Sequence, residues 1–270
     1  MSDIEQLLII GCGNMGGAML AGWLESGLDP SRFAVLDPAM EAAPDGVALY
    51  RTPEEAADAG RHDAVLLGFK PQQLGKLAPG MQAVTGEGVT IYSLLAGLTL
   101  AQLRDAFASA DAHIRVMPNL ASHINKSPII LLQSGLADDK RDGVFDFFDR
   151  LGTAVWLEDE DKFDLVTALA GSGPGFVYRF IDALAGAAEE LGLDREQADR
   201  LALAMVDGSS SLVASGDISP GDLADRVASP GGMTREGMNV LDKGQALHNL
   251  LVETLRATRD RGAELSSGSA

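Results

Sequence analysis

Cysteine is almost absent. Cys12 stands alone in 270 residues, so no intrachain disulfide can form and a zinc site built from several thiolates is excluded. Positive charge is also scarce: 21 Lys and Arg face 39 Asp and Glu, for a formal net charge of -18. Nucleic acid and anionic membrane surfaces require clustered Lys and Arg, so neither is expected as a partner. An anionic cofactor is still allowed, because backbone amides at a helix start hold phosphates whatever the global charge. No apolar run approaches the ~20 residues needed to cross a bilayer. Met1-Ser2-Asp3-Ile4-Glu5-Gln6 lacks the basic start and apolar core of a secretory signal, and the expected address is the cytoplasm. His62, His113, His123 and His248 show no metal-ligand spacing, so no metal is expected. His123 reads as a surface residue, with a ligand contact as the alternative. Neither G-x-S-x-G nor H-E-x-x-H occurs.

What is present suits a globular protein of one large domain or two modest ones. The first part alternates short apolar runs with helical patterns. Leu7 to Ile10, fully apolar and followed by glycine, predicts a buried strand. Phe33 to Leu36, Ala64 to Leu67, Val89 to Ser93, Ile114 to Met117, Ile129 to Leu132 and Ala154 to Leu157 predict further strands. Met15 to Ser26 carries apolar residues at helical spacing. Glu54 to Ala59 predicts a short helix, with Thr52 as N-cap and Pro53 at its first position. This alternation predicts an α/β fold with a doubly wound, Rossmann-type, mostly parallel sheet.

Past Leu157 no convincing strand follows. Glu158-Asp159-Glu160-Asp161 suits the first turn of a helix, where the dipole favours negative charge. Three amphipathic helices are predicted around Phe176 to Leu191, Leu201 to Val213 and Leu247 to Thr258. The expected division is 1–160 for a dinucleotide-binding domain and 161–270 for a helical domain, with Ser266 to Ala270 as a disordered tail. The helical part is rich in Ala and Gly and has limited core of its own. Its helices are expected to pack against another subunit; a self-sufficient small bundle is the alternative.

Gly11-Cys12-Gly13-Asn14-Met15-Gly16 matches G-x-G-x-x-G between a predicted strand and a predicted helix, the context that gives the pattern value. The first glycine allows the tight turn, the second lets backbone approach a pyrophosphate, and the third lets helix and strand pack closely. Free amides near Asn14 and Met15 would then bind phosphates. Asp37 ends the second predicted strand, about twenty residues past the loop, where an acid binds the ribose 2′-hydroxyl; an Asp-Pro turn without a ligand role is the alternative. A carboxylate there repels a 2′-phosphate, so NADH is expected to be favoured over NADPH, with Arg51 the nearest cation able to approach. Cys12 reads as a small residue in a crowded loop rather than a reactive thiol.

Three further segments punctuate the chain. Lys70-Pro71-Gln72 and Met117-Pro118-Asn119 each follow a strand at the sheet edge where ligands sit in open α/β folds. Ser229-Pro230-Gly231-Gly232-Met233-Thr234 precedes a helical run. Each alone also reads as a Pro/Gly turn. Taken with Arg115-Val116 before Met117 and with Gly171-Ser172-Gly173-Pro174, they make the chain similar to pyrroline-5-carboxylate reductases over nearly its whole length.

That resemblance implies reduction of a cyclic imine to proline with NADPH or NADH, and a helical dimerisation domain whose homodimers often assemble further. It implies that Thr234 lies near the substrate nitrogen as the catalytic hydroxyl. Ser229, Gly231, Gly232 and Met233 would bind the substrate with it. Met117 and Asn119 would line the nicotinamide, and Lys70-Pro71 its ribose side. The residues suit that chemistry: glycines expose amides to a carboxylate, and a hydroxyl both donates and accepts at a nitrogen that becomes an amine. The chain departs from the family pattern at Leu120-Ala121-Ser122, where Thr-Pro-Ala is usual. Other departures are Asn14 for a frequent Lys, Phe176 for Tyr and Met233 for a small residue or Thr. Two rival readings share the architecture. One is a reductase of another cyclic imine or of a β-hydroxy acid, which leans on a catalytic lysine; Lys162 and Lys243 are the only lysines past residue 160. The other is a dinucleotide-binding protein without catalysis.

Overall fold

The computed structural model describes residues 4–266. Eight strands are found among them: β1 (Leu7–Ile10), β2 (Phe33–Leu36), β3 (Ala48–Tyr50), β4 (Ala64–Leu67), β5 (Thr90–Ser93), β6 (Ala112–Met117), β7 (Ser127–Ser134) and β8 (Gly152–Trp156). They form one sheet in the order β3-β2-β1-β4-β5-β6-β7-β8. All neighbours pair in parallel except β6 and β7. The exception has a local cause. A parallel return needs a crossover of a dozen or more residues; only residues 118–126 separate β6 from β7, and the turn Leu120–Ile124 occupies them.

The helices of the sheet region are α1 (Asn14–Glu25), α2 (Pro53–Asp58), α3 (Leu74–Leu77), α4 (Leu100–Ala106), α5 (Asp138–Asp149) and α6 (Phe163–Val166). Helices on both faces explain why the strands read as continuous apolar runs. Alternate residues of β1 serve opposite cores. Leu7 and Ile9 join Trp23, Phe147 and Phe148 on one face. Leu8 and Ile10 join Ile91, Leu103 and Phe107 on the other. Trp23, fully buried, stacks on Phe33 at 5.6 Å, meets Phe147 at a tilt at 4.8 Å and donates its indole N–H to the Phe147 carbonyl at 3.1 Å. That bond satisfies the one polar atom of an otherwise apolar side chain.

The predicted strands and the capped helix at Thr52 are present, Thr52 accepting from Glu55 N at 3.2 Å. One strand escapes the sequence pattern. β3 is three residues long, pairs only with β2 at the sheet edge and is half exposed, so it carries no apolar signature. The acidic cluster opens a helical turn, Glu160–Lys162, as expected, but its residues take different roles. Asp159 caps the turn by accepting from Asp161 N at 3.0 Å. Glu160 instead accepts from Arg115 Nη1 at 2.9 Å and from Leu100 N at 2.8 Å. Arg115 is 5% exposed and lies over the Phe163 ring at 3.6 Å. A buried guanidinium needs a paired anion, and that need draws Glu160 inward.

The described chain divides into two compact units, one running to Gly171 and taking up Thr258 to Ser266, the other Ser172–Ala257. The second contains α7 (Gly173–Glu190), α8 (Arg195–Ala214), α9 (Pro220–Val227), α10 (Met233–Asp242) and most of α11 (Ala246–Ser266). Its buried core is small: Ala185, Ala198 and Ala202, backed by Ile181 and Leu193. Val177, Phe180, Leu201, Leu212 and Leu250 stay exposed. Of the tail expected to be disordered, Ser266 closes α11 and 267–270 lie outside the described residues. Among the described residues no helix is long and apolar enough to cross a membrane.

Candidate active site

The strand order reverses between β1 and β4, the switch point where open α/β sheets bind ligands beyond the carboxyl ends of their strands. The glycine loop sits there. Gly11 has φ +83°, and a Cβ on it would lie 2.9 Å from Phe69 N, so only glycine serves. A Cβ on Gly16 would lie 3.1 Å from the Gly11 carbonyl, which is the close helix–strand packing expected of the third glycine. Gly13 differs. It has φ -74° and begins α1 with no side-chain cap, and a Cβ on it would meet nothing within 4 Å. Its missing side chain keeps open the space over the first amides of α1, Asn14 and Met15 among them. Gly68, at the end of β4, belongs to the same loop: a Cβ there would lie 2.3 Å from the Gly11 carbonyl. The sequence carries its signal, a four-residue apolar strand followed by glycine, in the same form as at Gly11.

A cavity of about 540 Å³ opens beside the loop, lined by Gly11, Gly13, Asp37, Arg51 and Lys70, with Leu77 and Met81 among its apolar walls. Asp37 is held at its mouth. It accepts from Cys12 N at 3.0 Å and from Ala39 N at 2.9 Å. Arg51 donates to the Asp37 carbonyl at 2.9 Å, to the Glu41 carbonyl at 3.2 Å and to the Met40 carbonyl. Its guanidinium therefore closes the turn after β2. Lys70 shares this end of the cavity, and Pro71 opens the turn Pro71–Gln73 beside it. Burial and then the Asp37 charge push the Cys12 thiol up to about 11, which disfavours the nucleophilic thiolate.

The other edge residues turn inward. Asn119 is 6% exposed; its side-chain amide donates to the Ala170 carbonyl at 3.0 Å and its oxygen accepts from Ala121 N at 2.9 Å. Met117 packs against the cluster of Leu100, Ile130, Leu132 and Phe163, and a Cβ on Gly171 would lie 3.1 Å from its sulfur. The π-helical segment Thr167–Gly171 is thus tied to the end of β6. The buried Ser122 hydroxyl donates to the Asn119 carbonyl at 2.8 Å. His123 is exposed.

In the second unit, Ser229 to Gly232 form a type II turn. Pro230 fixes the second position, Gly231 takes φ +72° at the third, and Gly232 N donates to the Ser229 carbonyl at 3.0 Å. A Cβ on Gly232 would lie 2.7 Å from Ser229 Oγ. Gly232 begins α10 without a side-chain cap. Met233 and Thr234 occupy the exposed first turn. An uncapped ten-residue helix behind two glycines offers amides and a positive dipole end to an anion.

A doubly wound sheet with an open glycine cradle at its switch point and an acid at the end of its second strand defines a nicotinamide-dinucleotide oxidoreductase. Known families divide the chain in the same sense: residues 6–97 match the model for coenzyme F420-dependent NADP oxidoreductases, and residues 160–265 that for pyrroline-5-carboxylate reductase dimerisation. The chain belongs to the pyrroline-5-carboxylate reductase family. It is 32% identical to the reductase of Aquifex aeolicus, over 95% of this chain and 96% of that one. The Coxiella burnetii reductase superposes with a TM-score of 0.87 at 27% identity, over 98% of this chain and 99% of that chain. The NADP-bound pyrroline carboxylate reductase of Plasmodium falciparum gives 0.82 at 25% identity, over 98% and 99%.

Proposed function

We propose that this protein reduces 1-pyrroline-5-carboxylate to L-proline with NADH or NADPH. Full-length kinship to reductases of that substrate carries the reading, and the open space over Gly13 supports its cofactor half. A bound nicotinamide dinucleotide supplies the hydride that turns an imine carbon into an amine carbon. The chain's own residues bind and orient. Amides of Gly13, Asn14, Met15 and Gly16 face the pyrophosphate, and Asp37 faces the adenosine ribose. Met117 supplies an apolar wall toward the nicotinamide. Asn119, whose side-chain amide bonds Ala170 and Ala121, acts by holding the 167–171 segment. In the second unit, Ser229, Gly231, Gly232 and Met233 hold the substrate carboxylate at the start of α10. The Thr234 hydroxyl holds the ring nitrogen by accepting from the N–H of the iminium, whose proton, taken up from solvent, stays on the product amine.

Loss of NADH absorbance on adding pyrroline-5-carboxylate tests the activity directly. Thr234→Ala should lower kcat/KM for this imine roughly 10- to 100-fold, the worth of a hydrogen bond to a charged group, with cofactor affinity nearly intact. Unchanged turnover would remove Thr234 from the mechanism.

NADH is the favoured cofactor in this reading. A 2′-phosphate would meet the Asp37 carboxylate, and Arg51 already gives three of its five N–H donors to backbone carbonyls. Comparing kcat/KM for NADH and NADPH checks this, and an NADPH preference would overturn it. We also propose that two copies pair through the helical unit, covering Val177, Phe180 and Leu201. A sedimentation mass of two chains or a multiple is expected, and a monomer at micromolar concentration would contradict it.

A further inference from the structure

We infer that Arg235 is a positioning residue for the substrate-carboxylate loop. It occupies the third position of α10, where the helix dipole disfavours a cation. A charge placed against a local rule marks a position serving something else. Arg235 reaches back out of its helix. Nε and Nη2 both donate to the Ala228 carbonyl, at 3.2 and 3.0 Å. Nη2 also donates to Asp225 Oδ1 at 3.0 Å.

Ala228 is the residue just before the type II turn and is 2% exposed. As the cap of α9, its carbonyl is one that the helix itself leaves unpaired. The guanidinium fork satisfies it and fixes where Ser229 starts. The far end of the turn is fixed by the Gly232-to-Ser229 bond. Between the two anchors, Gly231 and Gly232 have little freedom to re-aim their amides. Without Arg235 the near anchor is lost, and each amide samples a wider range of directions before it meets a carboxylate. The cost falls on binding of the anion, not on the hydride step and not on the dinucleotide.

This inference rests on the reading of Ser229 to Thr234 as the carboxylate site, and the experiment separates the two. Arg235→Met and Arg235→Lys are compared with wild type on pyrroline-5-carboxylate and on 1-pyrroline, the same ring without the carboxylate. Arg235→Met should raise KM for the carboxylate-bearing imine about tenfold, a modest cost for a misplaced binding group. Its kcat, its NADH Kd and its kcat/KM for 1-pyrroline should stay near wild type. Arg235→Lys, which keeps the charge but not the fork, should fall between. Equal losses on both imines would make Arg235 a general stabiliser and overturn the inference, as would an unchanged KM. Thr234→Ala runs in parallel. If it lowers turnover while Arg235→Met does nothing, only the clamp is wrong. If neither has an effect, the carboxylate site itself is misassigned.

Discussion

Gly13→Val should fold as the wild type does and fail to bind a dinucleotide. The backbone at Gly13 has φ -74° and ψ -158°, a negative φ with ψ just past the edge of the extended region, so the substitution forces no left-handed conformation. Its Cβ meets nothing within 4 Å beyond the adjoining residues, so the branch point displaces no packed neighbour. The new methyl groups fill the space through which phosphate oxygens reach the first amides of α1. Each charge-assisted bond lost there is worth about 1.5–3 kcal/mol, and losing two weakens binding at least about 100-fold. Fluorescence titration with NADH reads the affinity, and a thermal melt within about 2 °C of wild type verifies the fold. Tight NADH binding by a folded Gly13→Val protein would show that the cradle is not the cofactor site.

Gly22→Ala, nine residues along the same helix, should do the opposite. It touches no ligand group, yet its Cβ would lie 2.1 Å from the Ser122 carbonyl oxygen and 2.8 Å from Leu151 Cδ2. The first of these neighbours is backbone and cannot rotate away. α1 must lift from the turn Leu120–Ile124, opening the core around the fully buried Trp23 and Leu151. Overpacking of this kind costs about 3 kcal/mol, which for a chain of this size lowers Tm by about 5–10 °C. Differential scanning calorimetry measures it. A Tm unchanged by Gly22→Ala would mean that α1 approaches the 120–124 turn less closely than the structure has it. A Cβ is tolerated at one glycine and not at the other because one faces open space and the other faces a carbonyl.

That contrast bears on what could be read in advance. Gly13 is recognisable because its role is local: a strand, a turn and a helix start follow one another within ten residues. Gly22 sits inside a helical pattern with no motif around it, and its reason lies a hundred residues away at Ser122. Asn119 is legible as a residue at the sheet edge, but not as one whose amide bonds Ala170 and Ala121. Arg51 was visible as the nearest cation to Asp37, while its bonds to the carbonyls of Asp37, Met40 and Glu41 depend on β3 lying beside β2. Arg235 reads in sequence only as added charge after the loop.

The sequence by itself determined the layered α/β plan, the glycine cradle and the Ser229–Gly232 turn. Each depends on short-range rules: side-chain alternation along a strand, the sign of φ, the fixed φ of proline, free amides at a helix start. The tertiary structure alone decided which polar groups are spent on the protein and which remain for a ligand. The pairing of Arg115 with Glu160, the engagement of Arg51 and Asn119, and the carbonyl beneath Gly22 all join distant segments. A hydrogen-bond donor has no assigned acceptor until packing has excluded water and left one within reach.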